Sequence, residues 1–142
     1  MYRIMNLVRQ LYNNTVIIVD DYDNYYIYDR DVYVVYYLSK FTIKNYNNTK
    51  YIKNNINYLS YLIKILKDNN INYVVLVKRF GYNVDIEHIF DNNNYISYYK
   101  KGKLVYKRKK DIDNIRVKLK LNILNNIDKI NEIKRLVDSY VW

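Results

Sequence analysis

The sequence predicts an α/β fold: a mixed β-sheet with flanking helices and a closing C-terminal helix. Three observations predict it. Thr15-Val16-Ile17-Ile18-Val19 is a β-branched run of strand length. Ile56, Leu59, Leu62, Ile63 and Leu66 recur at helical spacing. Tyr73 to Val77 is continuously apolar, the pattern of a strand buried on both faces. Strand, helix and strand in that order describe a crossover unit. The 142 residues suit one domain over 1–142. Within it the reading places an α/β core over 1–99 and a basic hairpin strand with a C-terminal helix over 100–142.

The elements follow in chain order. Ile4, Leu7, Val8, Leu11 and Tyr12 make an opening helix that Asn13-Asn14 stops. After the Thr15 to Val19 strand comes an acidic turn, Asp20 to Asn24. Tyr25 to Tyr28 and Val32 to Leu38 are strand candidates, and the second equally fits a buried helix. Asn45 to Asn55 is polar and reads as a loop. The Ile56 to Leu66 helix ends at Asp68-Asn69-Asn70, where Asn tolerates a left-handed cap. Tyr95 to Lys100 and Lys103 to Lys107 read as two strands turning at Lys101-Gly102, with Gly in the second turn position. That pairing places Ile96, Tyr98, Lys100, Lys103, Val105 and Lys107 on one face. Ile115 to Leu121 fits either a strand or the start of the closing helix. Ile123, Ile127, Ile130, Ile133, Val137 and Tyr140 carry that helix to the end.

Composition narrows the class. Asn (22), Tyr (20), Ile (19) and Lys (17) supply 78 of 142 residues, while Ala, Cys and Pro are absent. These are AT-coded against GC-coded amino acids, so the bias points to an AT-rich genome, such as that of a virus, an organelle or a reduced parasite or symbiont. Half the residues are apolar, which argues against full disorder. No apolar run approaches the roughly 18 residues of a membrane span, so no membrane partner is expected. The first residues lack a secretory signal layout and there are no cysteines to oxidise, so the expected setting is intracellular: host cytoplasm, virion or organelle.

The net charge of +10 is unevenly placed. Residues 1–99 hold 11 basic against 9 acidic side chains, and residues 100–142 hold 13 against 5. Lys100, Lys101, Lys103, Lys107, Arg108, Lys109 and Lys110 form a run without an acid, interleaved with Tyr98, Tyr99 and Tyr106. Dense positive charge beside aromatic rings suits a polyanion. Asp20, Asp21, Asp23, Asp29 and Asp31, around Arg30 alone, form the opposite patch.

Residues 1–79 also resemble the N-terminal mismatch-recognition domain of MutS-type DNA repair proteins. The stretches that carry the resemblance are Asn6 to Tyr12, Thr15 to Val19, Asn24-Tyr25-Tyr26-Ile27, Tyr61 to Leu66 and Tyr73 to Val77. The resemblance implies a fold like that domain and a DNA partner ahead of RNA. It also places Tyr25 at the position of the family's base-stacking Phe. Ile27 stands where the family has a Glu, and an apolar side chain cannot accept that residue's hydrogen bond from a base. No Walker A glycine loop is present, so the family's ATPase is not implied.

Catalytic chemistry has thin support. His88 is the single histidine, next to Asp85 and Glu87, but adjacent Glu and His diverge on a helix or a strand. Asp20, Asp21 and Asp23 offer oxygen ligands to a divalent ion, without the spacing of a calcium loop. The expectation is a non-enzymatic nucleic-acid-binding domain without a cofactor. Its phosphate contacts come from the seven basic residues 100–110 named above, and its ring contacts from Tyr98, Tyr106 and Tyr25. The alternatives are a structural subunit of a large assembly, an organellar ribosome or a virion, with protein subunits as partners, and a metal-dependent nuclease.

Overall fold

The computed structural model describes residues 2–79 and 81–141. Its elements are α1 (Tyr2–Leu11), β1 (Val16–Asp21), β2 (Asn24–Tyr28), α2 (Asp31–Ser39), β3 (Lys44–Tyr46) and β4 (Thr49–Asn55). A 3-10 turn at Ile56–Tyr58, α3 (Leu59–Asp68), β5 (Tyr73–Val77), β6 (Asn83–His88) and α4 (Tyr95–Val141) follow. The fold is mixed α/β, as the patterning predicts. The chain divides into two compact units, Met1–Tyr106 and Lys107–Trp142. No helix among the described residues is long and apolar enough to cross a membrane.

The first unit is a six-stranded sheet in the order β3-β4-β2-β1-β5-β6. β1 and β5 pair in parallel, and every other pair is antiparallel. The central pair explains the apolar runs. Val16, Ile18, Tyr73 and Val75 point into the larger core with α2, α3 and Tyr95 of α4. Ile17, Val19, Val74 and Leu76 point the other way, against Met5 and Val8 of α1 and Tyr12 just after it. A strand covered on both faces cannot alternate with polar residues.

Several expectations are corrected. Val32 to Leu38 is helical, within α2, and its buried Val32, Val34, Val35 and Tyr36 resolve the ambiguity of a continuous apolar run. Asn45 to Asn55 is no loop but most of the β3–β4 hairpin. Asn47 and Asn48 turn it with φ of 48° and 63°, the left-handed pair of a type I′ turn. The strands expected at 95–100 and 103–107 are the start of α4. Gly102 therefore does not turn a hairpin. It lies against α2, where a Cβ would fall on the Tyr33 carbonyl. Met5 and Val8 of α1, with Tyr12 just after it, face the sheet, whereas Leu7 and Leu11 of the expected stripe are exposed.

The second unit is the 107–141 part of α4, so Ile115 to Leu121 is helical. Ile112, Ile115, Leu119, Ile123, Ile127, Ile130, Ile133 and Val137 recur every three or four residues along it. Each is between 47% and 60% exposed.

Candidate functional site

Alternation along β2 sends Tyr25 and Ile27 into the larger core and Tyr26 and Tyr28 to the opposite face. β4 is registered so that Lys53 lies opposite Tyr26 and Tyr51 opposite Tyr28. β3 adds Lys44 opposite Tyr51 and Tyr46 opposite Thr49. Residues directly opposite share a face, so this outer half of the sheet presents alternating tyrosines and lysines. Beside α1 the surface dips into an open cleft of about 490 Å³, lined by Met5, Asn6, Tyr26, Tyr28, Asp29, Tyr46, Asn47, Thr49, Tyr51 and Lys53.

The geometry suits a flat ligand. Tyr26 and Tyr28 lie parallel, with centroids 5.9 Å apart and planes 4° from each other. Lys53 Nζ stands 5.9 Å from the Tyr26 ring centre. Tyr46 is 70% exposed, at the rim. Burial, with smaller contributions from Tyr26, Tyr82, Asp21 and Tyr51, pushes the Tyr28 hydroxyl up to about 12. It stays a neutral phenol, able to donate and to accept. An aromatic face holds a base by stacking at about 1–3 kcal/mol each, and an ammonium at the edge suits its phosphate. Tyr26, Tyr28, Tyr46, Tyr51 and Lys53 are not among the residues that charge and resemblance point to. The period-2 split of β2 separates Tyr26 and Tyr28 from Tyr25 and Ile27 without saying which set is core, and the Asn47-Asn48 turn marks the hairpin that carries Tyr46, Tyr51 and Lys53.

The residues that charge and resemblance do point to are scattered. Tyr25 is completely buried, and its hydroxyl accepts from Asn54 Nδ2 at 3.0 Å, so it cannot stack on a base. Tyr98 is half-buried, donates to Asn69 Oδ1 at 3.1 Å and lies 5.5 Å from the Tyr37 ring. Tyr106 packs edge-on against Tyr33 and Tyr36 of α2. These rings are spent on joining α4 to the sheet's helices. Lys100, Lys101 and Lys103 are exposed, with Lys101 Nζ 5.4 Å from the Tyr98 ring and Lys103 Nζ 5.8 Å from Tyr99. Lys107, Arg108, Lys109 and Lys110 lie in the second unit and are exposed. On a helix four consecutive residues are spread around the axis, so they do not form one face.

The acidic patch is also divided. Asp31 is completely buried. Its carboxylate accepts from both terminal nitrogens of Arg9 at 3.2 Å, from the Ile17 amide at 3.0 Å and from the Tyr95 hydroxyl. Burial pushes this carboxyl upward, and Arg9, Tyr95 and Ile17 pull against that shift. The cluster ties α1, β1, α2 and α4 together. Asp21 lies 3.6 Å from Lys78 Nζ, and Asp20 accepts the Tyr22 amide within its turn.

His88 and Glu87 point to opposite sides of β6. His88 lies between the Tyr73 and Phe90 rings, while Glu87 accepts from the Tyr12 hydroxyl at 2.8 Å. Asp85 is the extra residue of a bulge in β6, and lines a second cleft of about 440 Å³ with Asp20, Tyr22 and Arg79. Among the described residues no three His, Cys, Asp or Glu side chains gather to hold a metal ion. The sequence matches no protein-family model and no curated protein.

Proposed function

We propose that this protein binds single-stranded nucleic acid, stacking bases on the tyrosines of the cleft beside α1. The observation that carries the reading is the parallel Tyr26–Tyr28 pair, walled by Tyr46 and Tyr51 and edged by Lys53. Phosphates are met by Lys53, and the basic residues from Lys100 to Lys110 draw the polyanion in. An open aromatic surface takes the faces of unpaired bases, which a duplex hides. The resemblance of residues 1–79 to the MutS mismatch-recognition domain supports a DNA partner ahead of RNA. Tyr25, which that resemblance matches to the stacking position, is in the core, so stacking falls to its neighbours in β2.

The test is fluorescence anisotropy with an unpaired oligodeoxythymidine, its RNA counterpart and a duplex as separate probes. The single strand should bind more tightly than the duplex. The logarithm of affinity should fall with the logarithm of salt at roughly 0.7 per phosphate contacted. Tyr26→Ala with Tyr51→Ala should weaken binding by about 1–3 kcal/mol per stacked base lost. No binding at about 50 mM salt, or equal affinity after loss of both rings, would sink the reading.

A further inference from the structure

The second unit carries a feature that nucleic-acid binding does not use: the aliphatic stripe from Ile112 to Val137, about half exposed throughout. At 1.5 Å per residue it runs about 37 Å along the helix, and a stripe of that length is rarely left in water. Its spacing is close to a palindrome. Turning the helix end for end about a point between Leu124 and Asn125 places Ile112 opposite Val137 and Leu119 opposite Ile130. Ile115 then falls beside Ile133.

The charges have a direction as well. Residues 107–120 hold seven basic and two acidic side chains, whereas residues 121–142 hold three of each. Two copies in parallel would stack the basic halves on each other. Two copies antiparallel set each basic half against the half that carries Asp128, Glu132 and Asp138. In that register Glu132 comes between Arg116 and Lys118, and Asp128 beside Lys120. The same register sets Asp138 against Asp111, next to Lys110, and Lys129 against Lys120, beside Asp128: two like-charged pairs, each with an opposite charge one residue away. Isologous pairing of this kind closes as a two-fold dimer.

We infer that the protein forms an antiparallel homodimer through the 107–141 helix, a second copy covering the Ile112 to Val137 stripe. The inference is independent of the cleft and stands if the cleft binds nothing.

The test uses the full chain, freed of nucleic acid by nuclease. Sedimentation equilibrium should give twice the 17.5 kDa chain mass. The protein has no cysteine, so Ile112→Cys and Val137→Cys chains carry single thiols. Mixed and oxidised, they should cross-link to each other in preference to themselves. Leu119→Glu should raise the dimer dissociation constant by at least about tenfold. Glu132→Lys should weaken the dimer, and Arg116→Glu added to it should restore part of the loss, a rescue that misfolding would not produce.

A monomer persisting at concentrations on the order of 100 μM overturns the inference, and leaves the stripe to another protein or a lipid surface. A trimer, a tetramer or like-to-like cross-links overturn it equally.

Discussion

Asp31 and Tyr95, 64 residues apart, meet in the core, the Tyr95 hydroxyl donating to a carboxylate that Arg9 also grips from the other side. This fastens the start of α4 to the first turn of α2. Removing Asp31 strands the partly buried Arg9 guanidinium, the Ile17 amide and the Tyr95 hydroxyl together. Breaking one side of a buried ion pair costs about 3–5 kcal/mol. Asp31→Ala should therefore lose about that much in urea unfolding. Tyr95→Phe leaves the ion pair intact and should lose about 1.5–3 kcal/mol. Equal losses from the two variants would show that the carboxylate is not the centre of the cluster.

Gly102 predicts a sign. In an exposed helix Gly→Ala stabilises by about 1 kcal/mol. Here the new Cβ would fall on the backbone carbonyl of Tyr33, which cannot swing aside as a side chain would. Overpacking of this kind costs about 1–3 kcal/mol. Gly102→Ala should lower the urea midpoint, with a loss of the near-ultraviolet signal from the tyrosines between α2 and α4. A higher midpoint would mean that α4 does not lie on α2 at this point.

What the sequence disclosed follows from burial. β1, β5 and α3 were legible because both faces of the two strands and one face of the helix are covered, which writes apolar runs and periods into the chain. β3 and β4 were not. Their Lys, Asn and Tyr residues are mostly exposed or half-buried at the sheet edge, so only the Asn47-Asn48 turn marks them. α4 was misread at 95–107 because a Gly needed for close approach looks the same in a sequence as a Gly needed for a turn. The site was hidden by a single residue of register. Tyr25 and Tyr26 are chemically identical, and only the pairing of β2 with β1 and β4 decides which of them is core.

Alkaline pH should unfold the protein early. Burial raises the hydroxyls of Tyr25, Tyr28 and Tyr95 above the ordinary value near 10, and the hydrogen bond to Glu87 raises Tyr12. An acid with a raised pKa in the fold keeps its proton where the unfolded chain has released it. The unfolded state then binds fewer protons, so stability falls as pH rises. The loss should begin near pH 10, where unfolded tyrosine ionises, and for Tyr28 continue to about 12. Urea midpoints measured against pH should be level from neutrality to about pH 9 and then decline. Tyr28→Phe should shallow that decline. A level profile through pH 11 would contradict the burial of these hydroxyls.

The two neighbouring tyrosines of β2 should separate stability from binding. Tyr25 gives the core a buried ring and accepts one hydrogen bond from Asn54, which leaves Asn54 half-exposed to water if lost. Tyr25→Phe keeps the ring and should cost about 0.5–1.5 kcal/mol of stability. It should leave affinity for an unpaired oligonucleotide unchanged. Tyr26 lies on the other face, stacked on Tyr28 beneath Lys53. Tyr26→Ala removes a half-buried ring packed against the α1 side of the sheet and should cost about 1–2 kcal/mol in unfolding, and in addition about 1–3 kcal/mol in binding. Paired urea titrations and anisotropy measurements on both variants decide the matter. Binding lost with Tyr25→Phe and kept with Tyr26→Ala would place the stacking surface on the α2 and α3 side of the sheet and remove the cleft from consideration.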